Sequence, residues 1–307
     1  MTSAMTAKLA TATRLPRYRR ASVPPPMQLT ARDTRIVRAV YEMRFLTRDQ
    51  IQILEFAPST ASYCKRRLAL LFHHGYLERK FIPAVGSFGS TRAIYCLAPK
   101  GARLVAHELG VELQHLDWRT RDLNRELYYL QHTLAINDFR IATTQATARL
   151  HLSIDWTDER TLRRREMKDY LTDPKVQGQR LVVVPDGYFR LTNDRFSAAF
   201  ALEMDRATVE EKPFKTKIRA YGEWKRSGSY GRRYGSESLR VLFVIASTKR
   251  DPRRLARIKH WCEAEGGRSL FWFCPLDAVT AASILEAPIW EVAGRGGRHS
   301  LLSGGHT

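Results

Sequence analysis

The order of helical and strand patterns between residues 29 and 110 constrains the fold of this chain more than any other feature. Thr30 can cap a first helix, and Thr47-x-x-Gln50 is a capping-box pattern that opens a second one. Pro58-Ser59-Thr60 then breaks the chain and caps a third helix. The apolar residues of this third helix recur at helical spacing and predict one buried face: Ala61, Cys64, Leu68, Leu71 and Phe72.

Two apolar and aromatic stretches follow the third helix. Residues 76–82 and 92–97 are typical of strands, and the glycine-rich residues 86–90 are typical of the turn that joins them. Pro99-Lys100-Gly101 opens a fourth helix, which Gly110 ends. Three helices, a hairpin and a closing helix predict a winged helix-turn-helix over residues 29–110, whose third helix would lie in the major groove of DNA.

The outward face of the third helix and the wing supply the candidate DNA contacts. Arginine pairs with guanine and with phosphate, and lysine, serine and tyrosine side chains reach phosphate oxygens. A solvated helix face carries the same residue types, so a purely structural interpretation stays open. The predicted contacts are Ser62, Tyr63, Lys65, Arg66 and Arg67 on the third helix, with Lys80 and Arg92 in the wing.

The overall charge also indicates a polyanionic partner. Lys and Arg total 51 against 31 Asp and Glu, which gives a net charge of +20. Nucleic acid is the first candidate and an anionic membrane surface is the second. No run of about 18 uncharged apolar residues is present, so we expect no transmembrane helix. The four cysteines form no C-x-x-C pair, and we expect reduced thiols in a cytoplasmic protein.

Both ends of the chain are expected to lack stable structure. Residues 1–28 are basic, contain no acid and include Pro24-Pro25-Pro26, which is typical of a disordered arm that adds phosphate contacts. Residues 291–307 contain glycine and histidine and are expected to form a flexible tail.

Residues 111–290 alternate between helical and strand patterns. A long amphipathic helix from Trp118 to about Arg149 precedes three strands, and then a helix, a strand, a helix and a strand follow. Leu181–Val184 is an apolar run that predicts one of the buried strands, and 196–204 predicts the next. This order predicts an α/β (α+β) domain with a mixed sheet.

Three acids lie at the ends of these predicted strands. Asp186 follows the run 181–184, and Glu203 and Asp205 end the next strand. Adjacent strands would bring Asp186 and Glu203 to one edge of the sheet, and the two-residue spacing puts Glu203 and Asp205 on one face. Two such carboxylates can hold Mg²⁺. The ion could then activate a water molecule against a phosphodiester.

Structural roles stay open for the same residues. Asp186 followed by glycine can simply form a turn, and His132 on an apolar helix can be a hydrogen-bonded core histidine. Residues 228–235 interleave glycines with tyrosine and arginine, which predicts either a nucleic-acid contact loop or a solvated insertion. Glu203 and Asp205 can pair with nearby cations, namely Arg206, Lys217 or Arg219.

The acids carry a resemblance to the PD-(D/E)XK nuclease fold. Pro185-Asp186 matches the first half of that motif, whereas Asp205 stands where the motif has lysine. Lys215 and Lys217 lie on the following helix and could stabilise phosphate charge, and Lys217 could substitute for the missing lysine. The resemblance implies a catalytic set of Asp186, Glu203, Asp205 and Lys217, with Mg²⁺ on Asp186 and Glu203.

At finer grain the chain resembles the replication-relaxation family of bacterial plasmids and integrated mobile elements, over roughly residues 30–250. The pieces that carry this resemblance are His132-Thr133-Leu134, Asn137-Asp138, Glu159-Arg160, Pro185-Asp186-Gly187, Glu203-x-Asp205-Arg206-x-Thr208 and Lys217-x-x-x-Tyr221. It implies a bacterial, nucleoid- or plasmid-associated protein that binds double-stranded DNA during replication, relaxation or mobilisation. Its protein partners would be replication or mobilisation proteins, or a second copy of the chain.

Two other functions fit the same sequence. The first is a metal-dependent endodeoxyribonuclease that uses the four residues named above. The second is a winged-helix transcriptional regulator whose C-terminal domain only dimerises or docks a partner. Metal-dependent cleavage separates the first from the others, and repression of a reporter without cleavage favours the second.

Overall fold

A computed structural model describes residues 15–81, 93–118, 126–164, 167–246 and 251–302. The chain divides into two compact units, Met1–Leu130 and Gln131–Thr307. The sequence placed this boundary earlier, after residue 110. Residues 111–118 pack with the first unit, because Leu116 is buried and the Trp118 indole donates a hydrogen bond to the Leu97 carbonyl (3.4 Å).

The first unit has the element order that the sequence predicted. Its helices are α1 (Ala31–Met43), α2 (Arg48–Glu55), α3 (Ala61–His73) and α4 (Pro99–Leu109). Its strands are β1 (Leu46–Thr47), β2 (Leu77–Phe81) and β3 (Ala93–Leu97), which form one sheet in the order β1-β3-β2. Capping boxes are present at Thr30 and at Thr47. Gly75 follows α3 with a φ of +79°, which favours glycine.

The core of the first unit forms between α1, α3 and the sheet. The predicted stripe on α3 is buried at Cys64, Leu68 and Leu71. Ile36 and Val40 of α1 are equally buried. These positions recur at helical spacing, so their burial fixes which face of α3 points outward.

The segment 15–28 differs from the disordered arm that its composition predicted over 1–28. The Arg20 guanidinium donates a hydrogen bond to the Phe72 carbonyl (2.9 Å) and pairs with Glu78. The Ala21 amide donates to Nδ1 of His73 (3.0 Å). Arginines in this segment therefore bind the end of α3 and the start of β2, and they stack on aromatic rings, contacts that composition alone does not reveal. Residues 1–14 lie outside the described residues.

The second unit is built on a mixed sheet of seven strands in the order β12-β11-β10-β9-β8-β7-β4. Its strands are β4 (Ser153–Asp158), β5 (Tyr170–Thr172), β6 (Arg180–Val182), β7 (Gly187–Thr192), β8 (Ser197–Asp205), β9 (Arg240–Ile245), β10 (Phe271–Pro275), β11 (Trp290–Val292) and β12 (Arg298–His299). Its helices are α5 (Leu127–Arg149, which begins in the first unit), α6 (Glu159–Leu162), α7 (Glu211–Arg226), α8 (Ser229–Tyr234) and α9 (Arg254–Ala264). The central pairs β8–β9 and β9–β10 are parallel, and the other pairs of this sheet are antiparallel.

Helices cover both faces of this sheet. Phe200 and Leu202 of β8 pack in a cluster with Phe139 of α5. Ala199 and Ala201, on the opposite face, pack in a second cluster with residues of α7 and α9. This alternation confirms the α/β architecture and places the odd-numbered residues at the end of β8 beneath α7 and α9.

Two predictions about the second unit, one for a strand and one for the C-terminal tail, were wrong. The run 181–184 does not enter the large sheet, because its first residues form β6, which pairs only with β5. The sheet strand is β7, which begins after Asp186. The predicted flexible tail from 291 instead supplies β11 and β12, because Val292 and Leu301 are buried in the core beside Trp290.

None of the helices in the described part of the chain has the length and apolar character that a membrane crossing requires.

Candidate functional site

The outward face of α3 exposes four of the five residues predicted there as DNA contacts. Ser62, Tyr63, Lys65 and Arg66 are exposed, and Tyr63 is 48% exposed. The Tyr63 ring lies edge-on to Phe56 (6.0 Å between centroids), which orients the ring without burying its hydroxyl end. This face therefore offers two cations, a hydroxyl and a phenol to the surroundings of the helix.

Arg67, the fifth predicted contact on α3, faces inward. Its guanidinium donates two hydrogen bonds to the Asp33 carboxylate, one of 2.6 Å through Nε, and a third bond to the Gln28 carbonyl. The Arg67 side chain is 12% exposed and that of Asp33 is fully buried. Burial alone would raise the pKa of Asp33, but hydrogen bonds from Arg67 and Thr30 outweigh burial and lower it. Arg67 therefore holds α3 against α1, and its prediction as a groove contact is corrected.

The structure describes one of the two residues that were predicted as contacts in the wing. Lys80 lies on β2 opposite Ile94 and is half-buried. Arg92 and the glycine-rich turn lie outside the described residues.

The hairpin of β7 and β8 brings Asp186 next to Glu203. The Asp186 amide donates to the Leu202 carbonyl (2.9 Å), and the Met204 amide donates to Oδ2 of Asp186 (2.7 Å). Gly187 is required here, because a Cβ at this position would lie 2.7 Å from the Trp156 ring. The predicted meeting of the two acids is therefore observed, although the strand concerned follows Asp186.

Glu203 lies beneath α7 and receives two side chains of that helix. The Tyr221 hydroxyl donates to Oε1 (2.6 Å) and the Lys217 ammonium donates to Oε2. Burial raises the pKa of Glu203 above its ordinary value, and the charge of Lys217 offsets only part of that effect. Tyr221 was not predicted as a site residue, although its spacing from Lys217 puts both on one helix face.

Asp186 has a second partner in His132 of α5. Nε2 of His132 lies 3.2 Å from Oδ1 of Asp186. Burial alone would lower the pKa of His132, but the hydrogen bond and charge of Asp186 outweigh burial and raise it. Burial likewise works against the charged form of Asp186, yet His132 and Lys217 hold its pKa below the usual value. Both groups are thus favoured in their charged forms.

Asp205 shares a face with Glu203, as predicted, but it serves a different partner. Arg254 of α9 donates two hydrogen bonds of 2.8 Å to its two oxygens and a third to the Val209 carbonyl (2.7 Å). Both side chains are buried. This ion pair fixes the loop between β8 and α7, so the prediction of Asp205 as a catalytic group is corrected to a structural role.

The remaining pairings also differ from those considered on sequence. Arg219 pairs with Asp173 and Glu265, and Lys215 pairs with Glu211, so these two side chains are engaged away from Glu203 and Asp205. In the region 228–235, Tyr230 is fully buried and donates to the Ser238 carbonyl (2.6 Å). That region is therefore a packed helix and turn.

The cluster can be tested against a magnesium ion. Each carboxylate oxygen of Asp186, Glu203 and Asp205 lies within hydrogen-bond distance of a protein donor. Lys217 pairs with Glu203, Arg254 pairs with Asp205, and His132 hydrogen-bonds to Asp186. In the described part of the chain, no group of three or more His, Cys, Asp or Glu side chains is placed to hold a metal ion. The Lys217 ammonium lies beside Glu203, where the sequence predicted Mg²⁺ between Asp186 and Glu203.

Comparison with known proteins decides the family. A family model described as replication-relaxation matches residues 37–238, more than half of the chain. The chain belongs to the replication-relaxation family. The part that matches this family contains α3 as well as Asp186, Glu203 and Lys217.

This replication-relaxation protein was also compared with solved structures and with curated proteins. Among solved structures, restriction endonuclease FokI is similar at 12% identity with a TM-score of 0.26. The similarity covers 83% of this chain and 44% of that one, so this chain corresponds to less than half of the endonuclease. The search of curated proteins found no match.

Proposed function

We propose that this replication-relaxation protein binds double-stranded DNA through the outward face of α3 and acts in the replication, relaxation or mobilisation of a plasmid or integrated mobile element. The observation that carries the proposal is the set of side chains that α3 exposes while Arg67 anchors the helix from below. The family and the net charge of +20 support it.

The chemistry of the exposed face suits a DNA groove. Arg66 can donate two hydrogen bonds to guanine or to phosphate, and Lys65 can neutralise a phosphate. The hydroxyl groups of Ser62 and Tyr63 can donate hydrogen bonds to phosphate oxygens. The ion pair of Arg67 and Asp33 anchors α3 to α1, so the backbone that carries these groups loses little freedom on binding.

The test compares charge reversals on two helices of the first unit. Lys65→Glu with Arg66→Glu should weaken duplex binding and lower the salt slope by roughly 1.8, since each lost phosphate contact contributes about 0.9. Arg103→Glu is the matched control, because Arg103 is an exposed arginine on α4. Equal affinity and equal salt slope for the double variant and the wild type, with circular dichroism unchanged, would contradict the proposal.

The role in replication or relaxation is separable from that of a transcriptional regulator. Loss of the protein should change plasmid copy number or the superhelical state of the element that carries it. Repression of a promoter reporter with copy number and superhelicity unaffected would favour the regulator.

A metal-dependent endonuclease is the second candidate, and the meeting of Asp186, Glu203 and Lys217 favours it. The protein donors that already engage the carboxylate oxygens of Asp186 and Glu203 oppose it. The test incubates the protein with supercoiled plasmid that carries the binding site, in Mg²⁺, Mn²⁺ or EDTA. Nicking in this assay separates an endonuclease from a protein that only binds DNA. Metal-dependent nicking that Asp186→Ala abolishes would establish the enzyme. Intact plasmid in every buffer would leave DNA binding without cleavage.

A further inference from the structure

The small hairpin of β5 and β6 presents one face to solvent. Leu171 and Leu181 point inward and pack in the core cluster that α7 and α9 cover. The residues on either side of them are exposed, because side chains alternate along a strand. We call this outward surface the hairpin face, and it consists of Tyr170, Thr172, Arg180 and Val182.

Tyr170 is the dominant side chain of the hairpin face. It is 56% exposed, and its cross-strand neighbour Val182 is 41% exposed. Arg180 lies directly across from Thr172 on the neighbouring strand. Arg180 is therefore the diagonal neighbour of Tyr170, at roughly 7–8 Å between the two residues. A large exposed ring and an exposed arginine thus share one face of the hairpin, an arrangement that burial in the core does not explain.

The acidic and basic side chains next to the hairpin face point in opposite directions. The two acids that flank β5 turn inward, since Asp169 accepts hydrogen bonds from Trp224 and Arg233 and the fully buried side chain of Asp173 accepts from Arg219. Arg180 lies on the hairpin face itself and is exposed. The surface therefore keeps positive charge although the segment contains acids.

We propose that the hairpin face binds single-stranded DNA, with Tyr170 stacked on an unpaired base and Arg180 on the adjoining phosphate. An exposed ring beside a cation is the combination that binds unpaired bases, because every base offers a flat face for stacking. A duplex hides those faces between its own base pairs, so it gains only the phosphate contact. The inference rests on the proposed function, since relaxing or replicating DNA exposes single strands.

The position of the hairpin in the fold supports this assignment. β6 ends at Val182, and the chain then runs directly through residues 183–185 to Asp186. The exposed end of the hairpin face at Val182 is therefore separated from Asp186 by at most roughly 14 Å of chain. The hairpin face is thus a second DNA surface, distinct in chemistry from α3.

The experiment measures the affinity of the full chain for a labelled oligothymidine and for a duplex of equal length. Tyr170→Ala should weaken oligothymidine binding about 5- to 150-fold, the effect of one lost stacked base, and leave duplex binding unchanged. Tyr170→Phe should retain wild-type affinity, because its ring still stacks. Arg180→Glu should weaken oligothymidine binding, whereas Arg195→Glu, an exposed arginine in the turn between β7 and β8, should not.

The outcomes distinguish this inference from the proposed duplex binding. Lys65→Glu with Arg66→Glu should show the reverse pattern, with duplex binding lost and oligothymidine binding kept. Wild-type protein that binds duplex but not oligothymidine would overturn the inference and leave the function of α3 intact. Equal oligothymidine affinity for wild type and Tyr170→Ala, with unchanged thermal unfolding, would also overturn it.

Discussion

Arg67 of α3 and Asp33 of α1 form an ion pair whose carboxylate is fully buried. Asp33 also completes the capping box of α1 by accepting the Thr30 amide (2.7 Å). One carboxylate therefore caps the N-terminus of α1 and anchors α3, and the orientation of the exposed face of α3 depends on it.

We expect Arg67→Ala to destabilise the first unit by about 3–5 kcal/mol, because it leaves Asp33 charged and buried without its partner. Arg66→Ala, next to it but exposed, should change the free energy of unfolding by no more than about 0.5 kcal/mol. Urea unfolding of the two variants checks this. Similar midpoints for both would mean that the ion pair does not hold α3.

The same pair predicts a dependence of stability on pH. Since Asp33 has a lowered pKa in the folded chain, its contribution is present above the unfolded pKa of about 3.9 and is lost as pH falls through the folded value. The stability difference between wild type and Asp33→Asn should therefore shrink as pH falls from about 5 toward 3. Urea titrations across that range measure it, and a constant difference would exclude the linkage.

Lys217→Met should make stability more sensitive to pH. Glu203, whose side chain is 4% exposed, would keep Tyr221 as a donor but lose its cation, so its already raised pKa would rise further. A raised pKa gives stability below the unfolded value of about 4.3 that is lost as pH rises through the folded value. Thermal unfolding should thus show a larger deficit at pH 8 than at pH 5.

Lys215→Met is the matched control for Lys217→Met. Lys215 lies on the same helix and pairs with a half-exposed Glu211, so its loss should cost about 1 kcal/mol or less at either pH. Parallel pH profiles for the two variants would contradict the assignment of Lys217 to the buried cluster.

His132 should titrate above its ordinary pKa of about 6.5, because Asp186 favours the imidazolium. In Asp186→Asn the negative charge next to the imidazole is gone and burial, the largest effect, still lowers the pKa of His132, so this pKa should fall below that of the wild type. A proton–carbon NMR titration of the imidazole measures both values. An identical pKa in the two proteins would show that His132 and Asp186 do not interact in solution.

The sequence predicted most of the local structure because local chemistry determines it. The capping residues Thr30 and Thr47 and the stripe on α3 act over three or four neighbours, and the structure bears them out. Arg67 was misassigned because it borders that stripe, and its partner Asp33 is distant in sequence. Periodicity alone does not state which long-range partner a bordering arginine finds.

In the candidate site, too, local patterns were predicted correctly and long-range partners were not. The meeting of Asp186 and Glu203 was predicted, yet from the wrong strand, since the apolar run 181–184 resembled a sheet strand more than β7 did. The common face of Glu203 and Asp205 followed correctly from the two-residue period. The cation Arg254, which separates their roles, comes from a distant helix whose packing no local pattern encodes.

The core beneath α5 also has a consequence for synthesis of the chain. Ala135, Ile136 and Phe139 share one apolar cluster with Trp290 and Leu301, although the ribosome makes these two groups far apart in time. At ordinary translation rates the apolar face of α5 waits on the order of ten seconds before β11 exists to cover it. During that interval the nascent second unit offers an uncovered helix face to chaperones, whereas the first unit can fold as soon as it leaves the exit tunnel.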